Sequence, residues 1–420
     1  MIKSSLVQLK EAKVFRDTGI SGNPFVGVAI SSAGYQALGV SAKAPQPSDG
    51  GAFAGGMKSR ASKLNDPPAQ DLEDPYQGDI HAMVLIAADP DAADSWGSTQ
   101  AENVGTQILN LMGASATVLT TEIGRAIFKD NGTSEDGTRK IEGIEHFGYV
   151  DGRSQPLMLR ELIQREANES DGISVWDPSF PLGQVLVSDP GSPNRDTAFG
   201  SFFVFRKLEQ DVAGFKETEE ELGARADLGR QGALMGAMLV GRFEDGTPVV
   251  LQRDDGMDNP VANNFDYAGD PLGLRCPFHA HIRKVNPRGD SVREFGVDLA
   301  AERSHIMARR GMPYGRRDKI IDPTDQPSDG VGLMFMAFQN NLSNQFEFTQ
   351  ASWANNADFV RQSVGRDPII GQRGPQAQAP LNLSSRWGHA DTQPVIFEQF
   401  VKLRGGEYFF VPSISTLENL

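Results

Sequence analysis

Three short segments of the chain hold residue types that bind metal, move protons or stabilise anions. The first is His146-Phe147-Gly148-Tyr149-Val150-Asp151-Gly152-Arg153-Ser154-Gln155-Pro156, which sets a carboxylate between two glycines. Glycines let backbone come close to a flat ligand, and a well-placed carboxylate takes a proton from one atom and returns it to another. Alone, this segment reads as an Asp-Gly turn. The second is Leu274-Arg275-Cys276-Pro277-Phe278-His279-Ala280-His281-Ile282-Arg283-Lys284-Val285-Asn286-Pro287-Arg288, two histidines among basic residues suited to an anionic ligand. The third is Ile306-Met307-Ala308-Arg309-Arg310-Gly311-Met312-Pro313-Tyr314-Gly315, where a fixed guanidinium would stabilise an oxyanion. Either cationic segment alone would be a basic surface loop. The chain, however, carries a net charge of −15, so local cationic clusters stand out.

The rest of the composition narrows the function classes. Asp and Glu number 55 against 40 Lys and Arg, which argues against nucleic acid as a main partner. Hydrophobic residues make up 39% of the chain, with 24 Phe, enough for a sizeable core. Cys276 is the single cysteine, so no intramolecular disulfide forms. There is no Walker A sequence, no GxGxxG after a strand, no HExxH, no CxxC and no GxSxG. The acidic stretches Asp89–Asp94 and Asp130–Asp136 lack the Gly and terminal Glu of an EF-hand loop and read as turns. The longest apolar run, Ala82–Ala88, is too short to cross a membrane and has the length of a buried strand. The N-terminus has no apolar signal-type core. The expectation is a cytoplasmic protein if Met1 is the native start, and a secreted one if a signal peptide has been removed.

Elements must bring the three segments together. Strands are expected at 26–30, 81–88, 115–121, 200–208 and 331–338, with more across 395–411. Helices are expected at 93–112, 157–166, 218–241 and 342–363. The stretches 39–78, 170–199 and 371–394 read as long loops. The pattern of strands and helices restarts near residue 200. This predicts an α+β architecture with antiparallel sheets in two halves, 1–190 and 191–420.

The pattern GxxDG at 148–152, CPFxAHIRKxNPR at 276–288 and ARRGxPYG at 308–315, in this order, resembles the dye-decolorising peroxidases. The strand Gly200–Val212 (GSFFVFRKLEQDV), Asn264-Phe265-Asp266-Tyr267 and Tyr408-Phe409-Phe410-Val411-Pro412-Ser413 are similar to the same family. The resemblance runs from about residue 25 to the C-terminus. It implies two ferredoxin-like domains of the dimeric α+β barrel superfamily, with peripheral helices and one haem b held mainly by the C-terminal half. It also implies a peroxidase that reduces hydrogen peroxide through an oxoferryl porphyrin radical and oxidises dyes, phenols or other bulky one-electron donors. The alternatives are a haem carrier or iron-release protein on the same fold, or a module without cofactor.

By the same resemblance, His281 matches the proximal iron ligand, with His279 as its rival two positions away. Asp367, in Gly365-Arg366-Asp367-Pro368, matches the carboxylate that accepts the ligand's other N–H. Asp151 matches the distal acid–base residue. Arg309, two positions before Gly311, matches the distal arginine, with Arg310 adjacent. Leu333 and Phe335 match residues flanking the distal face, and Arg283 and His305 are candidate propionate contacts. Tyr314 and Trp353 are candidates for surface electron transfer from donors too large for a buried pocket. Two departures from the family pattern stand out. The usual extra N-terminal strand is not evident, so either the chain is shortened or Leu6–Phe15 serves. Position 279 is His where a small residue is commoner.

Overall fold

The computed structural model describes residues 24–45, 50–88, 98–133, 139–169, 171–225, 232–257, 261–317, 324–373, 380–384 and 386–420. The segment Leu6–Phe15 and the acidic run Asp89–Asp94 lie outside the described residues.

Strand β6, Phe199–Gln210, is the middle of the molecule. Its run of aromatic and β-branched residues is buried on both faces over most of its length, as a central strand requires. It follows β1 (Phe25–Ile30), β2 (Ala82–Ala87), β3 (Ile127–Thr133), β4 (Arg139–Ile144) and β5 (Val187–Ser188) in the chain. After it come β7 (Ala308–Arg309), β8 (Met312–Tyr314), β9 (Gly332–Gln339), β10 (Leu381–Ser384), β11 (Thr392–Val395) and β12 (Val401–Val411). The main sheet runs β2-β1-β12-β6-β9-β7, with β5 added to β6 and β8 added to β9. Every pairing in it is antiparallel. The β2-β1 ribbon joins the rest through one register pair, Ile30 with Phe410. Two further hairpins, β3-β4 and β10-β11, stand apart. The division proposed at residue 190 falls between β5 and β6, which pair across it.

A bulge in β12 between Leu403 and Gly405 bends the strand beside β6. A Cβ on Gly405 would lie 2.1 Å from the ring of Tyr76, so only glycine lets that ring lie on the strand. The main core gathers Phe202, Phe203 and Phe205 with Phe409, Phe410 and the buried Phe215.

Several expected elements differ from what is observed. The apolar run of β2 is a sheet edge, not a buried strand: Val84 and Leu85 are exposed. An unbroken apolar run carries no alternation by which an edge could be told from a centre. Residues 116–123 form no strand; only Gly124 bridges to Tyr314. The stretch 39–78, expected as a surface loop with a short helix, holds among its described residues several short helical turns, and Phe53, Met57, Leu64 and Tyr76 enter the core. Of the expected helix 218–241, the described residues lie in the helices Val212–Arg225 and Gly232–Val240, and residues 226–231 lie outside the described residues. Within 342–363 only Phe346–Phe348 and the π-helical turn Thr349–Ala354 are helical. Asn side chains there bond elsewhere, Asn355 to the Leu64 carbonyl at 2.7 Å for example, and so compete with helix. Part of 371–394 pairs as the β10-β11 hairpin.

Candidate active site

His281 is the first residue of a short helix, His281–Val285. Its Nδ1 lies 2.8 Å from Oδ2 of Asp367, whose side chain is fully buried. The other carboxylate oxygen accepts the backbone N–H groups of Ile369 and Ile370 at 2.8 and 3.0 Å. A carboxylate held this way can only accept, so Nδ1 carries the proton. In the neutral ring the lone pair then sits on Nε2, which has no partner among the described residues. His279 is placed differently. It is buried, and its pKa is pushed down to about 3, chiefly by burial and by the nearby Lys284 cation. Its Nε2 is buried without a hydrogen-bond partner among the described residues, so what sets His281 apart is its bond to Asp367 and its greater exposure.

On the opposite segment, Gly148 and Gly152 have φ of +95° and +91°, the left-handed region that favours glycine. Just before them, the half-buried Glu145 accepts the N–H groups of Phe147 and Tyr149 at 2.9 and 3.0 Å. Tyr149 donates its hydroxyl to Glu219 at 3.0 Å. Asp151 donates its backbone N–H to the Gly143 carbonyl at 2.9 Å, while its side chain is exposed. The turn continues to Gln155, whose Oε1 accepts the backbone N–H of Arg309 at 3.1 Å. His146 fixes the same assembly from the other end: its Nε2–H donates to the Tyr314 carbonyl at 2.8 Å, and Arg317 donates to the His146 carbonyl at 2.6 Å. Thus the first and third segments are tied at two points.

Strand pairing decides between the adjacent arginines. Arg309 sits opposite Ala337 on β9, and directly opposed residues share a face. Phe335 and Leu333, two and four positions before Ala337, lie on that same face. Both are only half-buried on a strand whose neighbouring residues are buried. The Arg309 guanidinium is half-buried and has neither hydrogen bond nor ion pair among the described residues. Arg206, opposite Phe335, contrasts with it: it is buried and held bidentate by Asp66 at 2.6 and 2.7 Å. Arg310 is exposed and its guanidinium folds back onto the Arg309 carbonyl at 2.7 Å. One continuous segment links this face to Asp367. The ring of Phe346 lies 5.9 Å from that of Phe335, and the Ala354 carbonyl accepts the Asp367 N–H at 2.9 Å.

Other expected site residues have different places. Arg283 is not available to a propionate. It is buried, and all five of its N–H groups are used, by Asp290, Asp270 and the carbonyls of Cys276 and Asp270. Its plane is sandwiched by Tyr267 and Phe278. His305 stacks on Phe348 at 3.7 Å and its Nδ1 meets the Asn344 carbonyl; burial lowers its pKa. Tyr314 and Trp353 are both buried, so neither is a surface site for electron entry. Trp353 packs between His305, Phe348 and Phe359. Gln155 and Lys284 escaped the reading of the sequence, since their partners lie far along the chain.

No family model matches the chain. The multifunctional dye peroxidase DyP2 of Amycolatopsis sp. (strain ATCC 39116 / 75iv2) is 45% identical over all of this chain and 87% of its own length. The solved DyP2 structure superposes with a TM-score of 0.85, covering 98% of this chain and 85% of that one. A DyP-type peroxidase of Anabaena sp. matches at a TM-score of 0.84 and 37% identity, covering 97% and 82%. A dye-decolorizing peroxidase solved as a complex with 2,6-dimethoxyphenol matches at a TM-score of 0.70 and 28% identity, covering 94% and 85%.

Proposed function

The chain belongs to the dye-decolorising peroxidase family, and on that footing we propose that it would hold one haem b, with His281 as iron ligand and Asp151 and Arg309 as the residues that act on peroxide. It is a peroxidase that uses hydrogen peroxide to oxidise dyes and phenols; the phenol complex of a relative supports the phenolic donor class. The haem-carrier alternative has no support, since the relatives reported are named as peroxidases.

The residues present fit a haem. A neutral imidazole with its lone pair on Nε2 is the donor that iron takes, and Asp367 fixes that tautomer and raises its basicity. Leu333 and Phe335 offer an apolar face to a flat macrocycle. Arg309 is a half-buried cation without a partner for its guanidinium among the described residues, which an anionic reactant would satisfy. When bound, the haem supplies the two-electron reduction of the O–O bond and the one-electron oxidations of the donor.

The protein's part is positional and electrostatic. Asp151 takes the proton from the near oxygen of hydrogen peroxide and delivers it to the far oxygen, which leaves as water. Its exposed side chain gives it access to reactant. Arg309 binds the peroxide as its proton leaves and stabilises the charge that develops on the departing oxygen. The Gln155 bond to the Arg309 backbone holds the two residues' segments in one register.

The observation that carries this reading is the 2.8 Å pair of His281 Nδ1 and Asp367, which turns Nε2 into the free ligand. The test is optical. The purified chain loaded with haemin is expected to give a histidine-ligated Soret band that changes on one equivalent of hydrogen peroxide. Haem bound with a spectrum indifferent to peroxide would overturn the reading in favour of a carrier.

A further inference from the structure

Lys284 lies one turn after His281 on the same short helix and is 1% exposed. Its ammonium donates to the carbonyls of Phe359 and Gly365, both at 2.7 Å. These carbonyls flank the loop that delivers Asp367. Lys284 therefore grips the loop at two backbone points, with the His281–Asp367 bond as the third tie between helix and loop. No carboxylate forms an ion pair with Lys284 among the described residues. Asp367 and the exposed Asp358 act on it through space, and burial lowers its pKa to about 7.

Burying an ammonium is costly, and a loop could be held by a neutral donor. What a neutral donor lacks is a field at the proximal carboxylate. A cation near Asp367 stabilises its negative charge and so weakens its pull on the Nδ1 proton. Less pull means less imidazolate character in His281 and less electron density pushed toward iron.

We propose that Lys284 is a positioning residue that, through its charge, limits how strongly Asp367 polarises His281. The proposal rests on His281 being the haem ligand, as argued above. It goes beyond that reading in assigning control of the proximal pair to a residue that touches neither ligand nor haem.

The test uses haem-loaded protein at pH 6, where the ammonium is charged. Two readouts apply: the iron–histidine stretch of the ferrous form by resonance Raman, and the ferric/ferrous reduction potential. Asp367→Asn serves as reference; removing the acceptor's charge lowers the stretch and raises the potential. Lys284→Gln keeps N–H donors for the loop but removes the charge. The expected result is the opposite of the reference: a higher stretch and a lower potential. If Lys284 is only a clamp, Lys284→Gln loosens the Asp367 loop and shifts both readouts with the reference. That outcome, or no shift, overturns the proposal. Should Lys284→Gln lose haem, Lys284→Arg decides, since it keeps the charge. Wild-type values support the proposal, and a shift toward the reference overturns it. A wild-type protein without histidine-ligated haem would instead overturn the function on which this rests, and the proposal with it.

Discussion

The backbone N–H of Arg309 donates to Oε1 of Gln155 at 3.1 Å, across 154 residues of chain. This bond ties the strand that carries Arg309 to the turn that carries Asp151. Replacing Gln155 by Leu leaves a half-buried N–H unsatisfied, at a cost of about 1–3 kcal/mol. The expected outcome is retained haem with a roughly tenfold slower reaction with peroxide, since small displacements of aligned groups are expensive. Stopped-flow mixing of holoprotein with peroxide measures it. An unchanged rate would show that the tie does not set the register.

Arg309 and Arg310 are adjacent, but only Arg309 shares the face of Phe335 and Leu333. Arg309→Leu should slow the peroxide reaction by about 10²–10³, the usual cost of losing one charge-stabilising donor. Arg310→Leu should leave the rate within a factor of about two, because its guanidinium turns back onto the chain. The two second-order rate constants, compared at one pH, separate the residues. Equal losses would mean that both act on the reactant.

His146 is buried, with its pKa lowered to about 4, chiefly by burial. The unfolded chain binds a proton near pH 6.5 that the folded protein refuses until about pH 4. The folded state is thus favoured fully above pH 6.5, and this contribution is lost as pH falls from 6.5 toward 4. For a single group the loss is on the order of 3 kcal/mol. His146→Gln keeps an N–H for the Tyr314 carbonyl and removes the titration. Urea midpoints between pH 4.5 and 6.5 should fall less steeply for the variant. Parallel slopes in both proteins would place the acid sensitivity elsewhere.

Phe215 is fully buried and stacks on Phe147 at 4.2 Å, with Tyr149, Phe397 and Phe400 around it edge-on. Phe215→Ala should cost about 3–5 kcal/mol, seen as a lower denaturation midpoint. Because Phe147 and Tyr149 belong to the turn before Asp151, the peroxide reaction should slow as well. A destabilised variant with a wild-type rate would show that the turn is held by its hydrogen bonds alone.

Much of the fold was legible wherever apolar runs were long and bounded by turns. The strands β6 and β9 and the C-terminal strand β12 were read close to their observed places. The failures have a common cause. Residues 115–121 have strand-like composition but pair with no strand among the described residues. Residues 342–363 have helical spacing, but their amide side chains serve distant carbonyls such as Leu64 and Ile370. Local preference cannot register a partner hundreds of residues away.

What the sequence determined by itself was the family and a set of candidate site residues. His281, Asp151, Arg309 and Asp367 stand in motifs whose order and spacing are specific. Only the tertiary structure decided which residues of that set are available. His281 keeps an open nitrogen because Asp367, 86 residues on, takes the other, whereas His279 is buried without a carboxylate partner among the described residues. The Arg309 guanidinium has no partner among the described residues, whereas Arg283 has spent every N–H on Asp270, Asp290 and nearby carbonyls. Tyr314 and Trp353, expected at the surface, are interior. The physical reason is the same in each case. Chemical type is written in one residue, but availability is a sum over hydrogen bonds and burial that distant segments complete only when the chain has folded.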